Sequence, residues 1–412
     1  MTISRRSFIT SAAALAASTQ FGVTWARFAQ ATDQRLIVVF LRGGMDALNF
    51  LAPADDKNYQ AARPASLRVG TAGAERGLAI GGIADGGDLL LHPQASGIAK
   101  LWKDQKLTFI PASGLMNGTR SHFQAMDLIE RGIANEGGSP PRDGWLTRAA
   151  LAIGKHEPGS VMSIGGAMPQ SLSLCEDALP ATEVWDLDWA PSQNFREALF
   201  DIHSGANALD SASRQALNAT QRLSLKVERN AKNEPYLRDV PKGVSYPDHD
   251  FGRNLNFLAE MLRISPDIGI ATADLDGWDM HDNQPDKFKD QVGILSQSLA
   301  AFQLHLEAIL RPATIVVMSE FGRRVKANDS RGTDHGHGGV MMVLGNGVNG
   351  GQNFGSWPGL ANEQLDEGAD LAVTTDFRDV LATVLRGQGA SAAIAGAFPG
   401  YSPKFIDGLM WV

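Results

Sequence analysis

The first strongly apolar stretch of the chain is LIVVFL (Leu36–Leu41), and it runs directly into RGGMDALN (Arg42–Asn49). An unbroken apolar run of this kind is typical of a strand buried on both faces of a parallel sheet. Similar runs follow at 107–110, 268–273, 314–318 and 340–344. The chain is therefore predicted to contain a large, mostly parallel sheet.

Helical patterns separate several of these runs. The clearest has apolar residues at alternating intervals of four and three, namely Leu295, Leu299, Phe302, Leu306 and Ile309. This spacing places them on one stripe of a helix that ends just before the run at 314–318. A helix that leads into a parallel strand indicates an α/β fold, with the sheet sandwiched between helices.

We assign residues 32–412 to a single large domain of this fold, because the apolar runs continue along the chain without an internal repeat. Residues 194–233 are rich in Ala, Ser, Gln and Asn and contain no strand-like run. We therefore expect a helical excursion from the sheet over that region.

The composition limits the class of protein. The chain has 412 residues, 43% hydrophobic and 20% charged, with a net charge of −8, as expected for a soluble globular protein. The acidic balance argues against a nucleic-acid partner, because phosphate binding needs a concentrated Lys and Arg surface. The single cysteine, Cys175, excludes an internal disulfide, a cysteine zinc cluster and an iron–sulfur site. Any bound metal must therefore be held by His and carboxylates.

The N-terminus has the features of an export signal. The motif SRRSFI (residues 4–9) precedes a weakly apolar stretch rich in small residues, and Ala29-Gln30-Ala31 has the small-x-small form of a processing site. The apolar stretch is shorter than the roughly 20 residues that span a membrane, so no stable membrane anchor is expected. We interpret residues 1–31 as a twin-arginine signal peptide, the alternative being a basic disordered N-terminus. The mature protein is then periplasmic or secreted, and the twin-arginine export machinery is its partner.

Unusual polar residues directly follow or precede the predicted strands. Ligands of open α/β sheets bind outside the carboxyl ends of the strands, so these residues are expected at one edge of the sheet. The candidate metal ligands are Asp46, Asp279, His281, Glu320, Asp334, His335 and His337. Imidazole with carboxylate oxygens suits zinc or another first-row divalent ion, whereas an all-oxygen site suits magnesium or calcium. The sequence leaves these metals open.

Two of the candidate pairs have the spacing of ligands to one ion. Alternate residues of an extended segment share a side, which suits Asp279 with His281 and His335 with His337. The alternative for Asp279 and His281 is a buried hydrogen-bonded pair. For Asp46, which follows two glycines, the alternative is an Asx hydrogen bond within the turn.

Ser121 lies where a helix is predicted to begin. With Gln124 it forms the Ser-x-x-Gln pattern of a capping box. A hydroxyl at a helix N-terminus also lies where backbone N–H groups favour an anion, so Ser121 is a candidate nucleophile toward a phosphate or sulfate. Its neighbour His122 is a candidate metal ligand or proton carrier, with a surface residue as the alternative.

Three arginines, Arg42, Arg120 and Arg323, lie in the same segments. The guanidinium fork matches an oxyanion at two points, which makes Arg42 and Arg323 candidate substrate clamps. The alternative for each arginine is a structural ion pair with a neighbouring acidic residue.

A glycine pattern at 345–350 (GNGVNG) has the form of a dinucleotide-binding loop. The residues that follow, GQNFGSWP, do not allow a helix to begin cleanly, so a bound phosphate would lack its helix N-terminus. Together with the single cysteine, this argues against an exported redox protein.

Taken together, these segments resemble the twin-arginine exported proteins known as the domain of unknown function 1501 family. The resemblance covers nearly the whole chain and rests on the signal and on motifs at 41–49, 120–123, 279–281, 319–323, 332–336 and 375–378. That family is similar in turn to the alkaline phosphatase and sulfatase superfamily. The resemblance implies an alkaline-phosphatase-like sheet between helices, with metals at the strand ends.

The superfamily pattern, carried over by position, implies a role for a few residues. It makes Ser121 the hydroxyl nucleophile and assigns metal binding to Asp46, Asp279, His281 and His335.

This sequence departs from the superfamily pattern at two positions. Asp46 lies several residues beyond its strand, and the expected Asp-His pair reads Glu320-Phe321. Phenylalanine cannot bind a metal, so one of the two metal positions is altered or missing unless His337 or Asp334 substitutes.

The hypothesis that follows is an exported metal-dependent hydrolase of phosphate or sulfate esters. Its substrate would be a small-molecule or polymer-linked anionic ester. The alternative hypothesis is a non-catalytic exported binding or assembly protein that retains the fold with a degenerate metal site, as Phe321 suggests.

Overall fold

The computed structural model of the chain describes residues 34–411, apart from residues 74, 85, 136, 138–139, 155–156 and 189–191. The predicted signal peptide, residues 1–31, lies outside the described residues.

The strands are β1 (Leu36–Leu41), β2 (Leu51–Ala52), β3 (Leu78–Gly82), β4 (Asp88–Leu91), β5 (Leu107–Gly114), β6 (Val161–Ile164), β7 (Ala178–Ala181), β8 (Ile270–Leu275), β9 (Thr314–Ser319), β10 (Gly339–Gly345) and β11 (Thr375–Asp376). The α-helices are α1 (Ala47–Phe50), α2 (Lys57–Ala62), α3 (Ser96–Lys103), α4 (His122–Arg131), α5 (Trp145–Ile153), α6 (Gln193–Ile202), α7 (Ala208–Ser224), α8 (Asp250–Ile264), α9 (Gln284–Ala308), α10 (Phe377–Gly387) and α11 (Ile394–Ala397). Short 3-10 helices lie at Ala65–Leu67, Gln170–Leu172, Val184–Leu187, Asn362–Gln364 and Ser391–Ala393.

The larger sheet has the strand order β11-β5-β10-β9-β1-β8-β6-β7. β1 pairs in parallel with β8 and β9, and β6 pairs in parallel with β7 and β8. The register places Leu41 opposite both Leu275 and Ser319, so β1, β8 and β9 end at the same edge of the sheet. The predicted α/β fold with a mostly parallel sheet is confirmed. β2, β3 and β4 form a second, antiparallel sheet.

The exception to the parallel arrangement is β10, which runs antiparallel to both β5 and β9. Its sequence, grouped above with the parallel strands, does not reveal this, because a strand buried on both faces reads as a continuous apolar run in either direction. As a consequence, the segment that precedes β10 lies at the edge where β1, β8 and β9 end.

The side chains of β1 alternate between two hydrophobic cores, one on each face of the sheet. Ile37, Val39 and Leu41 belong to the core formed with α3, α8 and α9, whereas the other three residues face α4, α5 and α10. The sheet is thus covered by helices on both faces, as the apolar run at 36–41 predicts.

The predicted stripe lies on α9, where Leu295, Leu299, Phe302 and Leu306 are buried. The helix ends at Ala308, just before β9. The region at 194–233 contains α6 and α7. Among the described helices, none has both the length and the apolar character needed to cross a membrane.

Candidate metal centre

Arg323 holds together the loops at the edge where the parallel strands end. Its side chain is buried and donates hydrogen bonds to the carbonyl oxygens of Gly43, Gly44 and Thr333 at 2.5, 2.7 and 2.9 Å. Gly43 has φ 116°, and a Cβ on it would lie 2.5 Å from the backbone nitrogen of Asp279. Glycine is therefore required where the loops after β1 and β8 approach each other.

At this edge three side chains bring their ligand atoms together. His122 Nε2, His335 Nε2 and Asp279 Oδ1 all lie within 4.8 Å of one another. The separations are 2.9 Å between the two nitrogens, 3.2 Å from His335 to Asp279 and 3.4 Å from His122 to Asp279. Ligand atoms about 2.0–2.1 Å from a tetrahedral zinc ion are about 3.3 Å apart, so these separations suit a shared metal ion.

His281 adjoins this group on the side of His335. Its Nε2 atom lies 2.8 Å from His335 Nε2 and 3.0 Å from Asp279 Oδ1. The pair His335 and Asp279 is therefore flanked by imidazole nitrogens from two other histidines.

Each of the three imidazoles is held at its other nitrogen by an oxygen that accepts hydrogen bonds. His122 Nδ1 lies 2.7 Å from Glu320 Oε1, and His335 Nδ1 lies 2.8 Å from the carbonyl oxygen of Arg120. His281 Nδ1 lies 3.0 Å from Asp334 Oδ1. With the hydrogen on Nδ1, the Nε2 lone pairs face the centre, which is the arrangement that metal-binding histidines have.

The donor set passes a simple test of fit to a cation. Two Nε2 lone pairs at 2.8–2.9 Å repel each other unless a positive charge lies between them. A single proton bridges only one such pair, whereas His335 Nε2 faces two imidazoles and a carboxylate. The residues present therefore fit a divalent cation.

The charges around the centre are set by its neighbours. Burial opposes the ionisation of Asp279, but the hydrogen bond and charge of Arg323 outweigh it and lower the pKa of Asp279 to about 2. The hydrogen bond to Glu320 raises the pKa of His122 against the effect of burial. Burial lowers the pKa of His335, which favours the neutral form that binds metal.

Glu320 and Asp334, both predicted as ligands, instead lie behind the histidines that they hold. Glu320 is 1% exposed and also accepts a hydrogen bond from the backbone N–H of Gly43 at 2.9 Å. Its hydrogen bonds, from His122 above all, lower its pKa against the effect of burial. Asp334 accepts a second hydrogen bond from Asn328 Nδ2 at 3.1 Å. Both carboxylates thus contact the distal nitrogen of a histidine instead of the centre.

Asp46 is not brought to the centre. Both of its carboxylate oxygens bind the buried Arg63 guanidinium, at 2.7 and 2.9 Å, and Gln284 Nε2 donates to one of them at 2.6 Å. Asp46 also caps α1 by accepting from the N–H of Asn49. Asp46 therefore stabilises the turn after β1 through an Asx hydrogen bond, which was the alternative to its role as a metal ligand.

His337 is also placed elsewhere, between Asp366 and the loop before α4. Its Nδ1 lies 2.7 Å from Asp366 Oδ2 and its Nε2 lies 2.6 Å from the carbonyl oxygen of Leu115. Both ring nitrogens are occupied, so the predicted pair of His335 and His337 does not converge on one ion.

The arginines form structural ion pairs. Arg42 binds Asp274 at 2.7 Å and Glu130 at 3.0 Å, and Arg323 binds Asp279 at 2.7 Å. Arg120 binds Asp370. The guanidinium groups proposed as substrate clamps are thus already bound to carboxylates.

Ser121 is exposed and stands at the N-cap of α4, directly before His122. Its side chain makes no capping hydrogen bond, so the predicted capping box is not formed. The Ser121 hydroxyl therefore makes no hydrogen bond to the first turn of α4, and it lies at the end of the helix that favours an anion.

Two further residues contribute to the site: Phe321, which the sequence marks as a departure from the superfamily pattern, and Asn328, which was not predicted. Phe321 is buried, with its ring centre 4.8 Å from that of His122 and 5.1 Å from that of His335. Asn328 donates to the carbonyl oxygen of His281 at 2.8 Å as well as to Asp334. Asn328 has no local signal in the sequence, because it acts through contacts with the backbone of His281 and the carboxylate of Asp334.

A search of curated proteins finds no match to this chain. Among solved structures, the chain is similar to the C-terminal periplasmic domain of EcEptC from Escherichia coli, in two structures of which one is a complex with Zn. The two matches have TM-scores of 0.35 and 0.33 and identities of 10% and 9%, and each covers 76% of this chain and 72% of the other.

The predicted family is confirmed by comparison with family profiles. Residues 112–392 match the family described as a protein of unknown function, DUF1501. These residues include His122, Asp279, His281 and His335, and they amount to more than half of the chain. The chain therefore belongs to the DUF1501 family.

Proposed function

We propose that this protein is a metal-dependent hydrolase of phosphate or sulfate esters, exported by the twin-arginine route to the periplasm or beyond. The observation that carries the proposal is the convergence of His122, Asp279 and His335, whose ligand atoms lie within 4.8 Å of one another. His281 adds a fourth donor that contacts both His335 and Asp279.

The ligand types support zinc or another first-row divalent ion. Imidazole nitrogens with one carboxylate oxygen suit these metals, whereas magnesium and calcium prefer sites built from oxygen. When bound, such an ion polarises an ester oxygen and lowers the pKa of a coordinated water or hydroxyl.

The protein's own residues supply the rest of the proposed site. Ser121 precedes the ligand His122 at the N-terminus of α4, where its free hydroxyl is available as nucleophile or as part of an anion cradle. Asp279, ionised because of Arg323, adds a negative charge that favours the cation. The substrate class is a small-molecule or polymer-linked anionic ester.

A second candidate function is a non-catalytic exported binding protein. The observation that favours it is Phe321, whose ring packs against His122 and His335 and is 2% exposed. An apolar ring at this position leaves room for fewer ligands than a two-metal centre requires. The two candidates differ in whether ester hydrolysis accompanies metal binding.

The test is metal analysis of the purified protein, combined with a panel of phosphate monoesters, phosphate diesters and sulfate esters. We expect about one equivalent of a divalent metal after reconstitution, hydrolysis of at least one ester, and loss of both in His335→Ala. The matched control is His203→Ala, because His203 pairs with Asp210 in the α6–α7 region.

Less than about a tenth of an equivalent of every divalent metal after reconstitution would overturn the metal site. Metal binding without hydrolysis of any ester, with Ser121→Ala harmless to function in the producing cell, would favour the binding protein.

A further inference from the structure

A cavity of about 280 Å³ lies beside the N-terminus of α9. Its charged and titratable lining residues are Arg68, Glu75, His92, Asp286, Lys289 and Arg331. The backbone N–H of Gln284 donates to the carbonyl oxygen of Arg331 at 2.9 Å, which joins the two walls formed by α9 and by the loop before β10. No candidate metal ligand lines this cavity.

The positively charged side chains that line this cavity have N–H donors that are not paired with a carboxylate. Within the described part of the chain, none of Arg68, Lys289 and Arg331 forms a salt bridge. Arg68 donates to the carbonyl oxygen of Gln60 at 3.0 Å, and Arg331 makes only a long contact of 3.5 Å to Asn283. Buried arginines such as Arg63 and Arg323, by contrast, bind carboxylates directly.

His92 adds a buried donor. Its side chain is 8% exposed, and its ring packs against Phe288 with centres 5.6 Å apart. Nδ1 accepts a hydrogen bond from the N–H of Gln94 at 3.2 Å, so the neutral ring carries its hydrogen on Nε2. Burial and the charge of Lys289 lower the pKa of His92 to about 4, which keeps the ring neutral. Among the described residues, none forms a hydrogen bond with Nε2, which leaves that N–H for a ligand in the cavity.

The helix end and the acidic residues restrict the ligand further. Pro285 and Asp286 lie in the first turn of α9 and line the cavity, so the N-terminus of this 25-residue helix adjoins the cavity. The helix dipole places partial positive charge at that end, which favours an anion. Glu75 and Asp286 disfavour a ligand of high negative charge and accept hydrogen bonds from hydroxyl groups. A ligand that meets both demands carries one anionic group and several hydroxyls.

We propose that this cavity binds one anionic carbohydrate group, such as a sugar phosphate, a sulfated sugar or a sugar acid. Arg68, Lys289, Arg331 and His92 Nε2 contact the anionic oxygens, while Glu75 and Asp286 accept from the sugar hydroxyls. The proposal stands apart from the hydrolase proposal, because the cavity is built from residues outside the metal centre.

The test is calorimetric titration of the purified protein, in metal-free buffer, with glucose 6-phosphate, glucuronate, glucose and inorganic phosphate. We expect glucose 6-phosphate and glucuronate to bind at one site, glucose not to bind, and inorganic phosphate to bind more weakly than its sugar ester. Loss of one charge-assisted hydrogen bond weakens binding by about tenfold or more, which we expect for Lys289→Met and for Arg331→Met. Both side chains are exposed, so neither change should affect folding.

The matched control is Lys100→Met, which removes an exposed lysine paired with Asp104 on α3. Its affinity for glucose 6-phosphate should equal that of the unmodified protein. Equal affinity for glucose, or unchanged affinity in both Lys289→Met and Arg331→Met, would overturn the proposal.

A further variant separates this site from the metal centre. His335→Ala removes a candidate metal ligand and should leave glucose 6-phosphate binding intact. Loss of that binding in His335→Ala would place the anion at the metal centre and overturn the assignment to this cavity. Failure of ester hydrolysis, in contrast, has no bearing on these titrations.

Discussion

Nδ1 of His122 lies 2.7 Å from Oε1 of Glu320, a carboxylate buried beneath the candidate metal ligands. This hydrogen bond fixes both the orientation of the imidazole and the nitrogen that carries its hydrogen. Glu320 thereby determines which nitrogen of His122 would face a bound cation.

Replacing Glu320 by Gln should weaken metal binding by roughly 10–100-fold, because the amide supports the imidazole less well than the carboxylate does. Competition against a chelator of known affinity, monitored by metal analysis, measures the change. Glu307→Gln is the control, since Glu307 pairs with Lys106 on the surface. Unchanged metal affinity in Glu320→Gln would show that this carboxylate does not support a ligand.

Arg63→Met should destabilise the fold by about 3–5 kcal/mol, because it leaves the buried carboxylate of Asp46 without its partner. The side chains are 0% and 2% exposed and lie 2.7 Å apart. Chemical denaturation measures the loss, and the double change Arg63→Met with Asp46→Asn should recover part of it. The metal content of folded Asp46→Asn should equal that of the unmodified protein. A loss of metal in that variant would instead make Asp46 a ligand.

Stability should fall as the pH is lowered from about 7 to 5, in part because of His92. Burial lowers its pKa to about 4 in the folded state, below the ordinary value of 6.5, so the unfolded chain binds the extra proton first. From these values His92 lowers the free energy of unfolding by about 2 kcal/mol at pH 5 relative to pH 8. Denaturation of His92→Gln across this range should show a correspondingly shallower slope. An identical slope in both proteins would contradict the pKa assignment.

Changing Arg5 and Arg6 together to lysine should retain the protein in the cytoplasm, because the twin-arginine motif is the predicted export signal. Fractionation of producing cells, with immunodetection of the processed and unprocessed forms, measures this. Arg27→Lys, nearer the predicted processing site, is the control and should leave export unchanged. Export of the double variant at the normal level would contradict the twin-arginine interpretation.

The central strands of the larger sheet were predictable because β1, β5, β8, β9 and β10 are almost entirely buried. The partly exposed strands β3, β4 and β7 were not predicted, because they lack a continuous apolar run. The run at 36–41 coincides with β1, and the stripe at 295–309 falls on α9 up to its C-terminal cap. The direction of β10 was not predictable, because direction is a property of pairing with neighbours and leaves no mark on an apolar run.

The site was predictable in part. The sequence places Asp279, His281 and His335 in segments at one edge of the sheet, but it does not distinguish a ligand from a residue that holds a ligand. His122 faces the centre, whereas Glu320 lies behind it and holds its Nδ1 atom, and the sequence does not show which residue has which role. The partner of Asp46 is Arg63, and no local pattern joins them. Such long-range pairings decide the role of a carboxylate.

The candidate ligands His122 and His335 are separated by 213 positions in the sequence. A metal ion that joined them would close a chain loop longer than half of the protein. Closing such a loop costs conformational entropy, and the packing of the folded chain offsets this cost before an ion binds. The complete set of candidate ligands would therefore form only when the segments that carry His122 and His335 have come together in the folded chain.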